Sequence, residues 1–532
     1  MNNSILGLTK YLVSPIFLRY FLYFCGMILQ EKDTICAVST PAGVGGVAVI
    51  RVSGADAISI SDSVLSMSKP LAEKKANTVS FGKLVRRQLG VRSEELGISV
   101  QTSGETSLLD LSRVQPEITS GASNLSNEGN DEILDEVLVS LFRAPHSFTG
   151  EDVVEIAVHG SVYVQREAIK LLLSAGCRMA DHGEFTKRAF MNGKMDLSQA
   201  EAVADVIASR SAAAHKVAVS QMRGGFSRKL QTLREQLLKF TSLIELELDF
   251  SEEDVEFADR SQLNALSCEI ESDLTRLINS FSTGNAVKNG VPVAIVGETN
   301  AGKSTLLNLL LGDDKAIVSD IHGTTRDIIE DTTDIGGMLF RFIDTAGIRE
   351  TSDTIENLGI KRSYGAIEKA QIVLWMIDST QVREHIDWMA ERIVPRAEGK
   401  QLFLLFNKID KISDEERLIL DGLFANIDAR RFYISAKYDK GLDAVRDALV
   451  EASHIAEIDD NDVVVTNMRH YEALVNAHNA ILKVQEGLSS GLSGEFLSMD
   501  LHDCLNALGS IVGQISSDEV LGEIFSKFCI GK

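Results

Sequence analysis

The chain has 532 residues, with 53 Lys and Arg against 76 Asp and Glu, so its formal net charge at pH 7 is −23. Its 44% hydrophobic and 24% charged residues are typical of folded proteins and exclude a chain that is disordered throughout. Only six cysteines occur, without a CxxC pair, which excludes a disulfide scaffold and favours a reduced, cytoplasmic protein. The acidic balance provides no overall basic surface for nucleic acid. Contact with RNA would therefore need a local basic surface or a partner that delivers the RNA.

Residues 1–30 form the only strongly apolar terminus. Pro15 and Arg19 interrupt it, so no uncharged run reaches the roughly 18–20 residues that a membrane-spanning helix needs. No small-residue cleavage site follows, which argues against a secretory signal. Because Met27 offers another start of translation, we interpret this segment as a spurious or disordered extension. A membrane tether and a cleaved signal are the alternatives, and we expect no membrane association of the remaining chain.

Residues 31–192 carry the pattern of a small α/β domain. The β-branched runs TICAVST and VAVIRVSG predict strands, and the glycine-rich PAGVGG between them predicts a turn. Residues from about 90 to 130 are rich in Ser, Gly, Asn and Glu, which predicts a flexible insertion rather than core. Apolar alternation resumes near Ile133, where we expect the ordered domain to continue.

Two helical stretches flank a second α/β region. Residues 193–289 are predicted to be helical, because apolar side chains recur on one helix face at Leu233, Leu237, Phe240 and Ile244. Residues 290–453 alternate apolar strands with helical stretches, which predicts a mainly parallel sheet covered by helices. Residues 454–532 are again predicted to be helical. The α/β region is therefore expected to be inserted into one discontinuous, all-α helical domain.

The segment GETNAGKS follows a predicted strand and opens a predicted helix, which is the context of a phosphate-binding loop. Its glycines let backbone N–H groups face phosphate oxygens, and the helix N-terminus adds partial positive charge. We expect Lys303 to reach the β- and γ-phosphates and the Ser304 hydroxyl to bind Mg²⁺. The phosphate contacts are assigned to Asn300, Ala301, Gly302, Lys303, Ser304 and Thr305.

Three further segments at predicted strand ends indicate that the nucleotide is GTP. Asp344 can hold Mg²⁺ through water, and the Gly347 N–H can sense a γ-phosphate. The Asp410 carboxylate can accept from N1–H and the exocyclic amine of guanine, and adenine lacks that amine. A mismatched base would leave this charge unpaired at a cost of several kcal/mol. The residues assigned from the segments DTAG, NKID and SAK are Asp344, Thr345, Ala346, Gly347, Asn407, Lys408, Ile409, Asp410, Ser435, Ala436 and Lys437.

Two segments after the phosphate-binding loop contain candidate residues for GTP hydrolysis. Ile348 follows DTAG, so the Gln that orients water in Ras-like switches is missing, and Arg349, Glu350 and Glu356 are the nearby candidates. Asn300 with backbone carbonyls of the segment SDIHGTT (Ser319–Thr325) could enclose a monovalent cation, and K⁺ there would supply charge as an arginine finger does. This segment contributes Ser319, Asp320, Ile321, His322, Gly323, Thr324 and Thr325. Thr325 is the expected second Mg²⁺ ligand, and a merely solvated side chain is the alternative for His322.

Seven segments together carry a resemblance to a known family: TPAGVGGVAVIRVSG, SFTGEDVVEI, GEFTKRAFMNGKMDLSQAEAVADVI, GETNAGKST, DIHGTTRD, DTAGIRETSDTIE and FCIGK. From about Asp33 to Lys532 the chain resembles the MnmE (TrmE) family of tRNA uridine modification GTPases. The resemblance implies a homodimer with an N-terminal folate-binding domain, a discontinuous helical domain and an inserted Ras-like G domain. It also implies a heterotetramer with the flavoprotein MnmG, which holds FAD. Together they add an aminomethyl or carboxymethylaminomethyl group to C5 of the wobble uridine of certain tRNAs.

The resemblance also implies roles for individual residues. Glu356 matches the residue that positions the attacking water, and the K⁺ ligands would be Asn300, Ser319, Ile321 and Thr324. A tetrahydrofolate derivative (5-formyl- or methylene-tetrahydrofolate) would be bound by Arg51, Glu155, Lys194 and Lys532, whose charges suit a pterin ring and a glutamate tail. Cys529 falls on the family's tail cysteine, for which a one-carbon or thiol role and an inert thiol both stay open.

The sequence therefore predicts a K⁺-stimulated GTPase that acts in tRNA modification when two G domains associate. A ribosome-assembly GTPase of the Era or Der type is the alternative, although no second phosphate-binding loop follows residue 451. A third class, a membrane-tethered structural GTPase, depends only on residues 1–29.

Overall fold

The computed structural model describes residues 33–87, 131–249, 260–312, 331–343, 365–381, 386–453, 463–514 and 518–531. They form two compact units, one running to Met195 and including the chain from Asp518, the other spanning Asp196–Ser517. The sequence pattern assigned residues 518–532 to the helical domain, whereas they group here with the N-terminal unit. The predicted domain boundaries otherwise remain predictions, and the terminal extension and the 90–130 insertion lie outside the described residues.

The first unit contains a seven-stranded sheet with strand order β3-β4-β5-β6-β2-β1-β7. The strands are β1 (Ile35–Val38), β2 (Val47–Ser53), β3 (Leu65–Ser66), β4 (Thr78–Arg86), β5 (Glu132–Phe142), β6 (Val153–His159) and β7 (Arg178–Met179). Neighbouring strands are antiparallel except β1 and β7, which run parallel. Alternate residues of β2, namely Ala48, Ile50 and Val52, are buried in one face of the sheet, as the period of a strand requires.

The helices α1 (Ala57–Val64) and α2 (Val162–Ser174) cover this buried face. A third helix, α3 (Glu184–Met191), buries Phe185 against Ile35 and Ala37 of β1, whose side chains point to the other face. The C-terminal helix α14 (Asp518–Ser526) packs close to α3. Gly183, which caps α3 at a φ of 65°, permits this approach, because a Cβ there would lie 2.9 Å from Phe525 O. The tail then reaches β1, where Ser39 Oγ donates to Gly531 O at 3.0 Å. The C-terminal tail therefore lies beside the end of β1.

The second unit contains a six-stranded sheet with order β13-β12-β11-β8-β10-β9. Its strands are β8 (Val291–Gly297), β9 (Asp331–Ile335), β10 (Met338–Ile343), β11 (Ile372–Asp378), β12 (Gln401–Asn407) and β13 (Arg430–Tyr433). All neighbouring pairs are parallel except β9 and β10, so the predicted mainly parallel sheet is confirmed. Every residue of β11 is buried, as expected for a parallel strand covered on both faces. The associated helices are α8 (Lys303–Leu311), α9 (Ile386–Ile393), α10 (Asp414–Leu423) and α11 (Leu442–Ala452).

The remaining helices of the second unit are α4 (Leu197–Ala208), α5 (Ala212–Met222), α6 (Gly225–Asp249), α7 (Arg260–Asn289), α12 (Met468–Ser490) and α13 (Gly494–Val512). The predicted apolar face of α6 is confirmed, because Leu233, Leu237, Phe240 and Ile244 are all buried. They share one hydrophobic cluster with Leu474 of α12 and Leu501 of α13. Helices that precede and follow the α/β region of residues 290–453 (the G region) therefore share one hydrophobic core. Of the described helices, none is long and apolar enough to cross a membrane.

A buried polar network joins α4 to α12 and α13. Glu201 accepts from His470 Nε2 at 2.6 Å and from two nitrogens of Arg469 at 2.9 and 3.0 Å. Arg469 also donates to Ser510 O and Ile511 O at 2.8 and 3.0 Å. Burial raises the pKa of Glu201, but the His470 and Arg469 contacts outweigh it and hold that pKa at about 2. A charged carboxylate therefore fastens two distant parts of the chain together.

We expect Glu201→Gln to lower the free energy of unfolding by about 3 kcal/mol at pH 7, because it removes the charge that these partners stabilise. The folded-state pKa of about 2 lies below the ordinary 4.5, so the contribution is complete above pH 4.5 and is lost as the pH falls toward 2. Urea unfolding at several pH values should show the difference between variant and parent narrowing below pH 4.5.

The matched control is Glu472→Gln, which removes an exposed carboxylate from α12. It should change the free energy of unfolding by no more than about 0.5 kcal/mol. Equal effects of the two substitutions, or a Glu201→Gln effect that is independent of pH, would contradict a stabilising role of the buried carboxylate.

Candidate functional site

The phosphate-binding loop lies between β8 and α8. Gly297 and Gly302 have φ values of 145° and 104°, and a Cβ at either position would collide with Met376 O or with the Asn407 side chain. Asn300 also takes a left-handed φ, 64°, and its side chain is exposed. The loop is therefore pressed against the ends of β11 and β12 in a way that only glycine allows at these two positions.

Lys303 begins α8 and reaches back over the loop. Its Nζ donates to Gly297 O at 2.8 Å and to Glu298 O at 2.7 Å, and burial lowers its pKa. Ser304 follows in the first turn and is half-buried, and Thr305 is exposed. Phosphate oxygens would give the Lys303 ammonium charged acceptors at the N-terminus of a helix, which also favours anions. The geometry fits nucleotide phosphates.

Asn407 links the phosphate loop to the base-reading segments. Its Nδ2 donates to Ala301 O at 2.8 Å, and its Oδ1 accepts from Ala436 N at 3.0 Å. Beside it, Ser435 Oγ donates to Asp410 Oδ1 at 2.6 Å, and this hydrogen bond lowers the pKa of Asp410. The structure thus brings three of the predicted motifs together and leaves an exposed, ionised carboxylate among them. Such a carboxylate accepts hydrogen bonds only, as recognition of guanine N–H groups requires.

Asp378 belongs to the same site but was not identified from the sequence. It ends β11, its side chain is 5% exposed, and its Oδ2 lies 2.5 Å from Lys408 Nζ. Its other oxygen accepts from Thr380 N at 3.0 Å and from Thr380 Oγ1 at 2.7 Å. Burial raises the pKa of Asp378, but the contacts with Lys408 and Thr380 outweigh burial and lower that pKa below its ordinary value. A sequence signal was present, since an acidic residue closes an otherwise apolar strand.

The other predicted ligands are only partly described. Ile409 N donates to Ile434 O at 3.3 Å, and Lys437 Nζ lies 5.0 Å from the Tyr438 ring centroid. In the described part of the chain, no group of three or more His, Cys, Asp or Glu side chains is placed to hold a metal ion. The predicted residues outside the described ranges are Ser319, Asp320, Ile321, His322, Gly323, Thr324, Thr325, Asp344, Thr345, Ala346, Gly347, Glu356 and Lys532.

In the first unit, the predicted folate residues Arg51 and Glu155 face each other across β2 and β6. Their side chains form an ion pair of 2.8 Å, and both are partly exposed. The Arg51 guanidinium lies 5.2 Å from the Phe148 ring centroid and 5.6 Å from that of Phe185. A charged pair with a partly exposed aromatic ring beside it can both hydrogen-bond and stack against a flat heterocycle.

Lys194 lies on the segment after α3, and its Nζ donates to Pro145 O at 2.9 Å. The adjoining Asn192 Nδ2 donates to Thr149 O at 2.8 Å, which holds this segment beside the 145–150 loop. Cys529 is exposed on the C-terminal tail. The structure therefore places Arg51, Glu155, Lys194 and the tail in one compact unit, without assigning the thiol a role.

A buried polar network beneath β2 was also missed from the sequence. Ser53 Oγ lies 2.7 Å from both Thr149 Oγ1 and Glu151 Oε2. Glu151 in turn accepts from Arg188, which also donates to Asp33 Oδ1 at 2.9 Å. These contacts fix the loop that carries Phe148. The residues of this network are far apart in sequence, so no local sequence pattern predicts their contacts.

Comparison with known proteins identifies the family. One family model, described as GTP-binding protein TrmE N-terminus, matches residues 34–194, and another, MnmE helical domain, matches residues 197–529. The chain is 53% identical over 509 residues to a Bacteroides fragilis protein named tRNA modification GTPase MnmE, covering 94% of this chain and 100% of that protein. The chain belongs to the MnmE family. The resemblance seen in the sequence motifs is thereby confirmed, and with it the assignment to a family of GTPases.

Other similarities are weaker. A Flavobacterium johnsoniae protein, also named tRNA modification GTPase MnmE, is 47% identical over 507 residues, covering 94% of this chain and 100% of that protein. The solved structure of Era from Aquifex aeolicus is 26% identical, covers 36% of this chain and 66% of that chain, and has a TM-score of 0.24.

We expect Asp410→Asn to change which base the MnmE-family G site accepts. The carboxamide donates where the carboxylate accepted, so it opposes the exocyclic amine of guanine but pairs with the C2 carbonyl of xanthine. GTP affinity should fall by about a hundredfold while XTP affinity rises, measured by displacement of a fluorescent GDP. Asp414→Asn, an exposed change four residues away, is the control and should leave both affinities unaltered. Unchanged preference in Asp410→Asn would show that this carboxylate does not read the base.

Proposed function

We propose that this chain is a K⁺-stimulated GTPase that, with the flavoprotein MnmG, adds a carboxymethylaminomethyl or aminomethyl group to C5 of the wobble uridine of certain tRNAs. The main support for the GTPase activity is the Asn407 side chain, which hydrogen-bonds both to the phosphate loop and to the segment proposed to bind guanine. Membership of a family whose curated members are named tRNA modification GTPases supports the biological role.

For hydrolysis, we propose that Lys303 and the loop N–H groups bind the phosphates and that Glu356 positions the attacking water. Ser304 and Thr325 would hold Mg²⁺, which supplies charge neutralisation at the phosphates when bound. Asn300, with Ser319, Ile321 and Thr324, would hold K⁺ in the place of an arginine finger. The exposed amide of Asn300 supports this arrangement, because its left-handed backbone turns the residue out of the loop.

For the first unit, we propose that Arg51, Glu155, Lys194 and Lys532 bind a tetrahydrofolate derivative. The ion pair between Arg51 and Glu155, with Phe148 beside it, supports binding of a pterin ring. Under this proposal the tail that carries Cys529 closes the site. The thiol's role stays open between one-carbon chemistry and an inert side chain.

We further propose that the chain is a cytoplasmic homodimer that joins MnmG, with FAD held by the partner, in a heterotetramer. An exposed apolar surface on β4 and β5 supports dimerisation. Phe81 and Leu138 lie directly opposite each other and are 59% and 52% exposed, and Val79 beside them is 65% exposed. Contiguous exposed apolar side chains of this kind mark protein interfaces.

Deletion of the gene should remove C5-substituted wobble uridines from total tRNA, as measured by mass spectrometry of digested nucleosides. The parent chain should restore them, whereas Glu356→Ala should not, because the attacking water is then no longer positioned and GTP is not hydrolysed. Glu350→Ala, a neighbouring candidate that we interpret as a surface charge, is the matched control and should restore them. Unchanged uridines in the deletion strain would refute the tRNA role and favour a ribosome-assembly GTPase.

GTP turnover should be at least about tenfold faster in K⁺ than in Na⁺ at equal ionic strength, because K⁺ supplies the transition-state charge. Asn300→Ala should abolish that difference while its affinity for fluorescent GDP changes little. Equal turnover of the parent chain in the two salts would rule out the proposed cation site.

A further inference from the structure

One stretch of the second unit reverses the charge balance of the chain. No acidic residue occurs between Asp205 and Glu235, although acidic residues outnumber basic ones by 76 to 53 overall. The stretch runs from the end of α4 through α5 into the first turns of α6. Its cations are Arg210, Lys216, Arg223, Arg228, Lys229 and Arg234.

Four of these cations lie on the surface. Arg210, Lys216, Arg223 and Arg228 are all exposed. Lys216 and Arg223 are seven residues apart, which places them on one face of α5 two turns from each other. Arg228 donates to Arg223 O at 2.9 Å, so a second guanidinium group lies at the same end of that helix. We call these four residues, which lie along α5 and just beyond its two ends, the basic surface.

Three carboxylates on neighbouring helices are paired with cations outside the basic surface. On α4, Glu201 pairs with Arg469 at 2.9 Å and Asp205 with Lys288 at 2.7 Å. On α7, Asp273 pairs with Lys229 at 2.7 Å. Across the described ranges, no carboxylate forms an ion pair with the three arginines of the basic surface. These three arginines therefore keep their positive charge.

Helix stability does not explain this pattern. Asp and Glu in the first turn stabilise a helix through its dipole, yet neither α5 nor α6 has one there. Two consecutive helix starts thus lack the residues that local energetics favour. Phe226, the one Phe, Tyr or Trp of the stretch, is buried and cannot stack on a base. These features favour an extended, negatively charged partner that is bound by electrostatic contacts rather than by stacking.

We propose that the basic surface binds the phosphate backbone of RNA. The guanidinium groups of Arg210, Arg223 and Arg228 offer the planar, paired donors that phosphate oxygens accept. Backbone contact without base stacking is independent of sequence, so it would serve more than one tRNA. Naming tRNA as the RNA rests on the proposed function; the phosphate chemistry does not.

The test is fluorescence anisotropy of a labelled, unmodified tRNA transcript titrated with the full chain over a range of NaCl concentrations. The combined variant Arg210→Gln, Arg223→Gln and Arg228→Gln should bind at least about tenfold more weakly, with the slope of log affinity against log salt reduced by about three. The control Lys69→Gln, Lys75→Gln and Arg166→Gln removes equal charge from exposed positions of the first unit and should keep parental affinity and slope. Thermal unfolding midpoints confirm that both variants are folded.

Parental tRNA affinity and slope in the basic-surface variant would overturn the proposal. The same holds if the variant loses binding to polyglutamate but not to tRNA, since the surface would then suit an acidic protein. The wobble-uridine measurement distinguishes failure of the basic-surface proposal from failure of the proposed tRNA function. Restored uridines with unaltered binding would reject the basic surface and leave the tRNA function intact, whereas uridines that survive deletion of the chain would reject the function itself.

Discussion

The nucleotide site depends on one buried amide. Asn407 is 4% exposed and satisfies a carbonyl of the phosphate loop and an N–H of the segment after β13 at the same time. A shorter side chain would leave both backbone groups without partners in a buried place, and an unsatisfied buried group costs about 1–3 kcal/mol. Gly302 is constrained by the same contact, because its missing Cβ leaves the room that Asn407 occupies. Loop conformation and base recognition are therefore coupled through a single side chain.

The parallel sheet explains why motifs far apart in sequence meet at that amide. β8, β11, β12 and β13 are neighbours and run in the same direction, so their carboxyl ends lie along one edge. Each strand is followed by one element of the site, from Gly297 to Lys437. Apolar strands and the residues directly after them are visible in a sequence, and this is why the fold of the G region and the three motifs could be predicted. The topology converts linear order into spatial adjacency.

Interactions that link residues distant in sequence could not be predicted in the same way. Glu201 and His470 are separated by 269 positions, and each alone resembles an ordinary helix residue. Asp378 was overlooked because its importance comes from Lys408, which the next strand provides. The contact between α14 and α3 likewise emerges only with the structure, since helical periodicity indicates which face is buried but not which partner buries it. Local patterns identify elements, while charge pairing across the fold emerges only with the structure.

The distribution of charge gives the acidic composition a more specific meaning. A chain with a net charge of −23 repels a polyanion on average, so any RNA that approaches it is favoured only where the local potential is positive. The basic surface on α5 and α6 contains three arginines without an ion pair among the described residues, and three nearby carboxylates pair with other cations. Its positive potential differs more from an acidic background than from a neutral one. Repulsion between RNA and the acidic remainder of the surface then helps to orient the RNA, because it disfavours incorrect binding orientations. The acidic composition provides no overall basic surface for nucleic acid, and it therefore restricts RNA binding to a local basic site.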